Sequence, residues 1–133
     1  MVLKYPRHES VSYAVSDPLA DWSQYEIVLL VNSDTASAAE VIATTLREYF
    51  PKNVVLIGEK TYGKGTVQEL IPFEDKSLLK YTVAGWITPI KKISVDSVGI
   101  MPDKIVTFDV QAWKTKKIDS QIQAAERYIF SVK

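Results

Sequence analysis

Residues 26–58 read EIVLLVNSDTASAAEVIATTLREYFPKNVVLIG and contain two short apolar runs with a helical pattern between them. The two runs, at residues 27–31 and 54–57, are rich in β-branched side chains, as expected of strands that are covered on both faces. Between them, over residues 36–50, apolar side chains recur at helical spacing until Pro51. Strand, helix and strand with short links predict a βαβ unit whose two strands are parallel.

The rest of the chain has a strand-rich pattern followed by a helical tail. Strand composition recurs, between prolines, at residues 66–73, 78–88, 91–95 and 105–110. Upstream, residues 2–5 and 11–15 predict strands or extended arms. In the tail, one helical stripe is formed by Ile118, Ile122, Ala125 and Ile129.

These patterns predict a single α/β domain over residues 1–133 with a mixed sheet. We expect an extended N-terminal arm over residues 1–25, an α/β core over residues 26–110 and a C-terminal helix over residues 111–133.

Composition excludes several classes of protein. Hydrophobic residues make up 47% and charged residues 24% of the chain, which excludes a disordered protein. The 16 Lys and Arg residues cancel the 16 Asp and Glu residues, so nothing indicates nucleic acid as the partner. The chain has no cysteine, which rules out disulfides, thiolate nucleophiles and cysteine metal sites.

The loop at residues 32–40, here called the serine loop, carries a candidate nucleophile. It follows the first apolar run, and ligands gather at the carboxyl ends of strands in an α/β sheet. Ser37 lies at the predicted start of the helix, and the N–H of Ala38 points out of the helix end, near the positive end of its dipole. A nucleophile followed by a free N–H is half of an oxyanion hole. Because residues 37–40 read SAAE, a capping box is the alternative role for Ser37.

The loop at residues 58–68, GEKTYGKGTVQ, is here called the lysine loop and carries a candidate base. Lys64 lies between two glycines, where the chain can turn sharply and pack closely. A lysine acts as a general base only if burial lowers its pKa towards neutrality. Tyr62 and Val67 could supply an apolar surround, and a solvated lysine in a turn is the alternative.

The lysine loop also nearly matches a phosphate-binding P-loop. Gly58 is followed after four residues by Gly63 and Lys64. However, the next residue should be Ser or Thr to hold magnesium, and it is Gly65. A helix should then follow, whereas residues 66–71 have strand composition. A phosphate- or nucleotide-binding module using Gly58 to Lys64 is therefore the weaker alternative.

The two loops follow the two strands of one βαβ unit, so we expect their tips to lie close together. A serine on one loop and a lysine on the other favour a Ser–Lys pair, an established variant of the serine nucleophile with its base. The only histidine is His8, in a polar segment far upstream, and a Ser–His–Asp triad would depend on it.

Several motifs occur in the order found in C-terminal processing peptidases, also called tail-specific proteases, and the chain resembles that family over roughly residues 26–130. The motifs are ASAAE at 36–40, the lysine loop, GIMPD at 99–103 and DSQIQAA at 119–125. The resemblance implies the mixed α/β catalytic core of that family, which is related to the ClpP and crotonase folds.

The resemblance also implies the roles of four residues. Ser37 becomes the nucleophile, and Lys64 becomes the general base. The Ala38 N–H becomes one oxyanion donor, and Gln68 becomes a supporting group. The implied reaction is peptide hydrolysis through an acyl-enzyme on Ser37, with protein or peptide substrates and no metal or organic cofactor. Contact between Lys64 and Gln68 needs a turn, because an extended chain would place them about 13 Å apart.

Members of the family also carry a PDZ domain and an upstream glycine-containing loop that supplies the second oxyanion donor. Neither is recognisable in residues 1–36, so we expect both in a full-length protein, unless the chain is a reduced relative. Losing one oxyanion donor costs on the order of 100-fold in turnover. The chain alone could therefore be folded yet nearly inactive, and a non-catalytic polypeptide-binding relative is a second alternative. The resemblance suggests an extracytoplasmic location and leaves the oligomeric state open.

Overall fold

The computed structural model describes residues 2–5, 9–10 and 22–132 of the chain. In chain order the elements of these ranges are β1 (Val2–Lys4), β2 (Glu9–Ser10), a 3-10 helix (Trp22–Gln24), β3 (Ile27–Val31), α1 (Ala38–Tyr49), β4 (Val54–Gly58), β5 (Thr66–Pro72), β6 (Leu78–Ile87), β7 (Lys104–Ile105), α2 (Val110–Lys116) and α3 (Ser120–Ser131). His8 and the strand predicted at residues 11–15 lie outside the described residues.

The predicted βαβ unit is confirmed. β3 and β4 are parallel, with Ile27 opposite Val54, and β7 pairs in parallel with the other edge of β4. Side chains alternate between the faces of a strand, and both Leu56 and Ile57 of β4 are fully buried. α1 and α3 both contact β4, so this strand is covered on both faces, as predicted.

β3 differs from the sequence prediction because it is less covered than β4. It is one of the two edge strands of the parallel sheet, and Leu30 is 43% exposed. The prediction of a strand at residues 27–31 is therefore confirmed, but the prediction that this strand is covered on both faces is wrong.

The remaining strands form an antiparallel sheet in the order β2–β1–β6–β5. The strands predicted at residues 66–73 and 78–88 are confirmed as the hairpin β5–β6. The segment at residues 2–5 is also confirmed as a strand, β1, which pairs with β6. The parallel and antiparallel pairs of the expected α/β core are thus divided between two sheets.

One core joins the two sheets. Trp86 of the antiparallel sheet belongs to the same buried cluster as Val31 and Leu56 of the parallel sheet. Residues 59–65 connect β4 of one sheet to β5 of the other. Lys64 therefore lies on the connection between the sheets, directly beside the shared core.

Two predicted strands are wrong over most of their length. Within the described ranges, residues 91–95 form one bridge, between Ser94 and Ile87, because the segment folds back so that the Thr88 N–H donates to the Ile93 carbonyl. In residues 105–110, pairing is limited to the start of the segment, in β7. Val110 already begins a helix, since the Asp109 side chain caps it by accepting from the Ala112 N–H.

The predicted C-terminal helix is two helices. α2 ends at Lys117, which adopts a left-handed conformation with φ 56°. α3 begins after Asp119, whose carboxylate accepts hydrogen bonds from the N–H groups of Gln121 and Ile122. An aspartate N-cap thus precedes each of these two helices, Asp109 before α2 and Asp119 before α3. In the described ranges, every helix is too short or too polar to cross a membrane.

Candidate active site

Ser37 has a backbone conformation that is rare for any residue with a side chain. Its φ is 54° and its ψ is −117°, whereas an ordinary helix cap has an extended backbone. Such strain costs on the order of 1–3 kcal/mol and concentrates at functional sites. A strained turn from strand to helix is also the setting that exposes the serine of a nucleophile elbow. The conformation of Ser37 therefore differs from that of an ordinary helix cap.

One half of the capping box forms at Ser37, the hydrogen bond from its backbone to Glu40, while its side chain makes no cap hydrogen bond. The Ser37 N–H donates to the Glu40 carboxylate at 2.8 Å. Glu40 is fully buried, and it also accepts from the Thr61 hydroxyl, the Gly63 N–H and the Lys64 N–H. Four donors satisfy this carboxylate, as a buried charge requires. Glu40 therefore ties the start of α1 to the lysine loop.

A second hydrogen bond joins the two loops directly. The Tyr62 N–H donates to the Thr35 carbonyl at 3.0 Å. Tyr62 is 67% exposed and lines a surface depression together with Lys64, so it flanks Lys64 without enclosing it. Val67 is partly buried and lines the same cavity as Lys64, as predicted.

The glycines on either side of Lys64 are needed for close packing. A Cβ on Gly63 would lie 2.5 Å from the backbone nitrogen of Gly99, and Gly63 has φ 89°. A Cβ on Gly65 would lie 2.6 Å from the Cβ of Asp96. Residues 95–99 therefore press against the lysine loop on both sides of Lys64, which explains the predicted need for glycine.

The backbone of Lys64 is held at both of its polar groups. Its N–H donates to Glu40 at 2.9 Å, and its carbonyl accepts from the indole N–H of Trp86 at 3.0 Å. Trp86 is only 3% exposed. Lys64 is thus partly buried on a backbone whose position is fixed from two directions.

A surface cavity of about 550 Å³ brings the four predicted site residues together. Ser37 and Ala38 line it from the start of α1, and Lys64 and Gln68 line it from the lysine loop. The cavity also has an apolar part, which consists of Val41, Ile42, Val67, Leu70 and Trp86. The expectation that the two loop tips lie close together is therefore confirmed.

Among the described residues, these four site residues make no hydrogen bonds to one another through the groups proposed to act in the site. In residues 22–132, the Ala38 N–H has no acceptor, as expected at a helix start. No hydrogen bond in that range joins the side chains of Ser37, Lys64 and Gln68. Gln68 lies beside a β-bulge, since Val67 pairs with Ala84 whereas Gln68 pairs with Thr82. Bulges of this kind re-aim side chains next to active sites.

The geometry disfavours the phosphate-binding alternative. A P-loop holds phosphate with free backbone N–H groups and the start of a helix. Here the N–H groups of Gly63 and Lys64 already bind the Glu40 carboxylate, and a strand, β5, follows. A phosphate in this loop would therefore have to displace a buried carboxylate.

Sequence reasoning missed two residues that position the site, Glu40 and Trp86. The only local signal for Glu40 was its place in the capping box, which predicts a bond to Ser37 and nothing further. Trp86 carried no signal, because its contact with Lys64 spans 22 residues.

Comparison with known proteins adds the family. The protein-family model described as Peptidase family S41 matches residues 3–106 of the chain. A carboxyl-terminal-processing protease of Picosynechococcus sp. is 39% identical over 114 residues, which cover 84% of this chain and 26% of the relative. Among solved structures, the photosystem II D1 C-terminal processing protease is 38% identical, with a TM-score of 0.52, over 60% of this chain and 20% of that chain.

The tricorn protease is 14% identical, with a TM-score of 0.64, over 80% of this chain and 10% of that chain, and this likeness concerns the fold alone. These similarities confirm the expected α/β core. The chain spans only about a quarter of the length of the curated relatives it matches. The family match includes both loops of the site, and the chain belongs to peptidase family S41.

Proposed function

We propose that this chain is the core of a serine endopeptidase that hydrolyses peptide bonds near protein C-termini, with Ser37 as the nucleophile and Lys64 as the general base. The observation that carries the proposal is the cavity that the strained Ser37 shares with Lys64. Family membership and the carboxyl-terminal-processing relatives support the reaction.

The proposed reaction uses each of the four residues. The Ser37 hydroxyl attacks the peptide carbonyl carbon while Lys64 accepts its proton, and Lys64 then gives the proton to the departing amine. The oxyanion of the intermediate accepts a hydrogen bond from the free N–H of Ala38, which lies near the positive end of the α1 dipole. Water then hydrolyses the acyl-enzyme and restores Ser37.

Gln68 has the role of orienting Lys64 once substrate fills the cavity. It lines the cavity, and among the described residues no hydrogen bond joins its side chain to that of Lys64; catalytic hydrogen bonds are often loose in the absence of substrate. Glu40 and Trp86 fix the position of Lys64, because Glu40 accepts a hydrogen bond from its N–H and Trp86 donates one to its carbonyl.

The proposal also extends to a full-length protein of which this chain is one part. A PDZ domain, an upstream segment with the second oxyanion donor and a location outside the cytoplasm belong to the proposed full-length protein. Protein or peptide chains are its substrates.

Cleavage of an unstructured reporter polypeptide tests the proposal. The wild-type chain is compared with Ser37→Ala and Lys64→Ala, and with Ser33→Ala and Lys60→Ala as matched controls from the same two loops. We expect cutting by the wild type and both controls, and a loss of about 100-fold or more in each site variant. Cutting that survives both site substitutions would overturn the mechanism. An absence of cutting by every form would favour either the non-catalytic alternative or an enzyme whose turnover needs residues beyond this chain.

A further inference from the structure

We propose that Lys80 binds a carboxylate of the polypeptide substrate, beside an aliphatic side chain that the apolar part of the same cavity holds. The inference rests on the proposed function, since it names the substrate class of that site.

Strand register places Lys80 on the cavity side of the β5–β6 hairpin. Lys80 lies directly opposite Leu70, and Thr82 lies opposite Gln68. Because alternate residues of a strand share a face, Gln68, Leu70 and Lys80 lie on one face of the hairpin. All three line the cavity that contains Ser37.

The charge of the cavity wall favours an anionic ligand. Its lining contains two lysines, Lys64 and Lys80, and no Asp or Glu. The start of α1 adds the positive end of a helix dipole through Ser37 and Ala38. Glu40, the acid nearest to that helix start, is buried and is already bonded by four donors.

Lys80 is available for such a ligand. Its side chain is exposed, and in the described part of the chain it makes no hydrogen bond or ion pair. Glu69, which neighbours Leu70, lies on the opposite face of the hairpin, where it accepts a hydrogen bond from the Tyr81 hydroxyl at 2.9 Å. Glu69 is the only acid and Lys80 the only lysine of the two paired strands, so these strands place their acid away from the cavity and their cation within it.

The apolar part of the cavity indicates what accompanies the carboxylate. Ile42 is 58% exposed and Leu70 is 60% exposed, so both can bury surface against a ligand. The row of Leu70 and Lys80 is two residues, about 7 Å, along the strands from the row of Gln68. An extended peptide would therefore place its carboxylate about two residues from the residue beside Gln68. A free C-terminal carboxylate and an Asp or Glu side chain share this chemistry.

Peptide binding to the Ser37→Ala form tests the inference without any need for cleavage. Fluorescence anisotropy measures the Kd of four labelled peptides with one aliphatic core. One pair differs only in a free or an amidated C-terminus, and the other, with amidated ends, differs only in Glu or Gln two residues from the aliphatic residue. Each pair is measured with Lys80 intact, with Lys80→Gln and with Lys80→Arg. Lys116→Gln, an exposed charge on α2, is the control for net charge.

We expect at least one charged peptide to bind about threefold to tenfold more tightly than its neutral partner. The pair that shows the difference identifies the source of the carboxylate. The preference should vanish in Lys80→Gln, persist in Lys80→Arg and Lys116→Gln, and weaken as salt is raised.

Three results would overturn the inference: equal binding within both pairs, a preference that survives Lys80→Gln, or no binding of any peptide. The first two leave the proposed function intact if the wild-type chain still cuts through Ser37. Conversely, loss of the cutting mechanism does not alter a charge preference that depends on Lys80.

Discussion

The carboxylate oxygen Oε2 of Glu40 accepts a hydrogen bond from the backbone N–H of Lys64 at 2.9 Å. The same oxygen also accepts a hydrogen bond from the backbone N–H of Ser37, at 2.8 Å. One buried atom therefore fixes the backbone of the proposed base relative to the backbone of the proposed nucleophile. The other oxygen of Glu40 binds Thr61 and Gly63, which holds the lysine loop around the same side chain.

Glu40→Gln should lower the free energy of unfolding by about 2–4 kcal/mol. A glutamine keeps one accepting oxygen but turns an NH₂ group towards backbone donors, so buried N–H groups lose their acceptor. Urea unfolding of the variant and the wild type measures the loss. Glu126→Gln, an exposed position on α3, should change stability by less than about 0.5 kcal/mol. Equal stability of the two variants would contradict the role given to Glu40.

Gly63→Ala should be destabilising, whereas Gly85→Ala should be tolerated. An alanine at position 63 would combine φ 89° with a contact of 2.5 Å to the Gly99 nitrogen, at a cost of about 1–3 kcal/mol or more. At position 85 the nearest atom is the Gly65 carbonyl oxygen at 3.6 Å, an ordinary contact. Thermal unfolding compares the two variants. Similar melting temperatures would show that the lysine loop is not packed as described.

Trp86→Phe should slow the proposed reaction and lower stability by about 1–3 kcal/mol. Phenylalanine keeps one aromatic ring but lacks the pyrrole ring, so the Lys64 carbonyl loses the hydrogen bond from the indole N–H and the core loses buried volume. Trp113→Phe is the control, because Trp113 is 43% exposed on α2. Unfolding and reporter cleavage are measured for both. A Trp86→Phe form as stable and as fast as the control would exclude Trp86 from positioning Lys64.

Glu48 should make stability depend on pH below about 4.5. Burial alone would raise its pKa, but hydrogen bonds from the Ile90 N–H and the Thr88 hydroxyl outweigh it. The N–H and the charge of Lys91 add to them, so the pKa of Glu48 lies below its ordinary 4.5. A lowered folded-state pKa gives stability that is complete above the unfolded value and is lost as pH falls through the folded one.

Glu48→Gln removes this contribution, which we expect to be at most about 1 kcal/mol because the carboxylate is partly solvated. Free energies of unfolding at pH 7, 5 and 3.5 should show a difference from the wild type that shrinks only at the lowest pH. A difference that stays constant from pH 7 to 3.5 would show that Glu48 is not the titrating group.

The sequence predicted the parts of the fold whose signals are local. The β-branched run of β4 and the helical spacing of α1 lie within single elements, and their short links imply parallel pairing. The predictions failed where long-range packing or a cap decides. β3 lies at a sheet edge. Asp109 starts α2 at the end of a segment predicted as a strand. Asp119 starts a second helix, α3, within a segment predicted as one helix.

The site shows the same division. Family motifs single out Ser37, Lys64, Gln68 and Ala38, and the βαβ pattern predicts that their loops meet. Glu40 could be predicted only as a cap, because three of its four donors lie 21 to 24 residues away. The rare backbone conformation of Ser37 has no sequence signal, since a capping box ordinarily has an extended cap residue.

The most direct test of the proposed dyad is the labelling of the chain by a fluorophosphonate probe, followed by peptide mapping of the modified serine. The proposal predicts labelling at Ser37, none in Ser37→Ala and labelling at least about tenfold slower in Lys64→Ala, with Ser33→Ala and Lys60→Ala at the wild-type rate. A Ser37 that stays unlabelled, or that reacts as fast without Lys64 as with it, would contradict the proposed dyad.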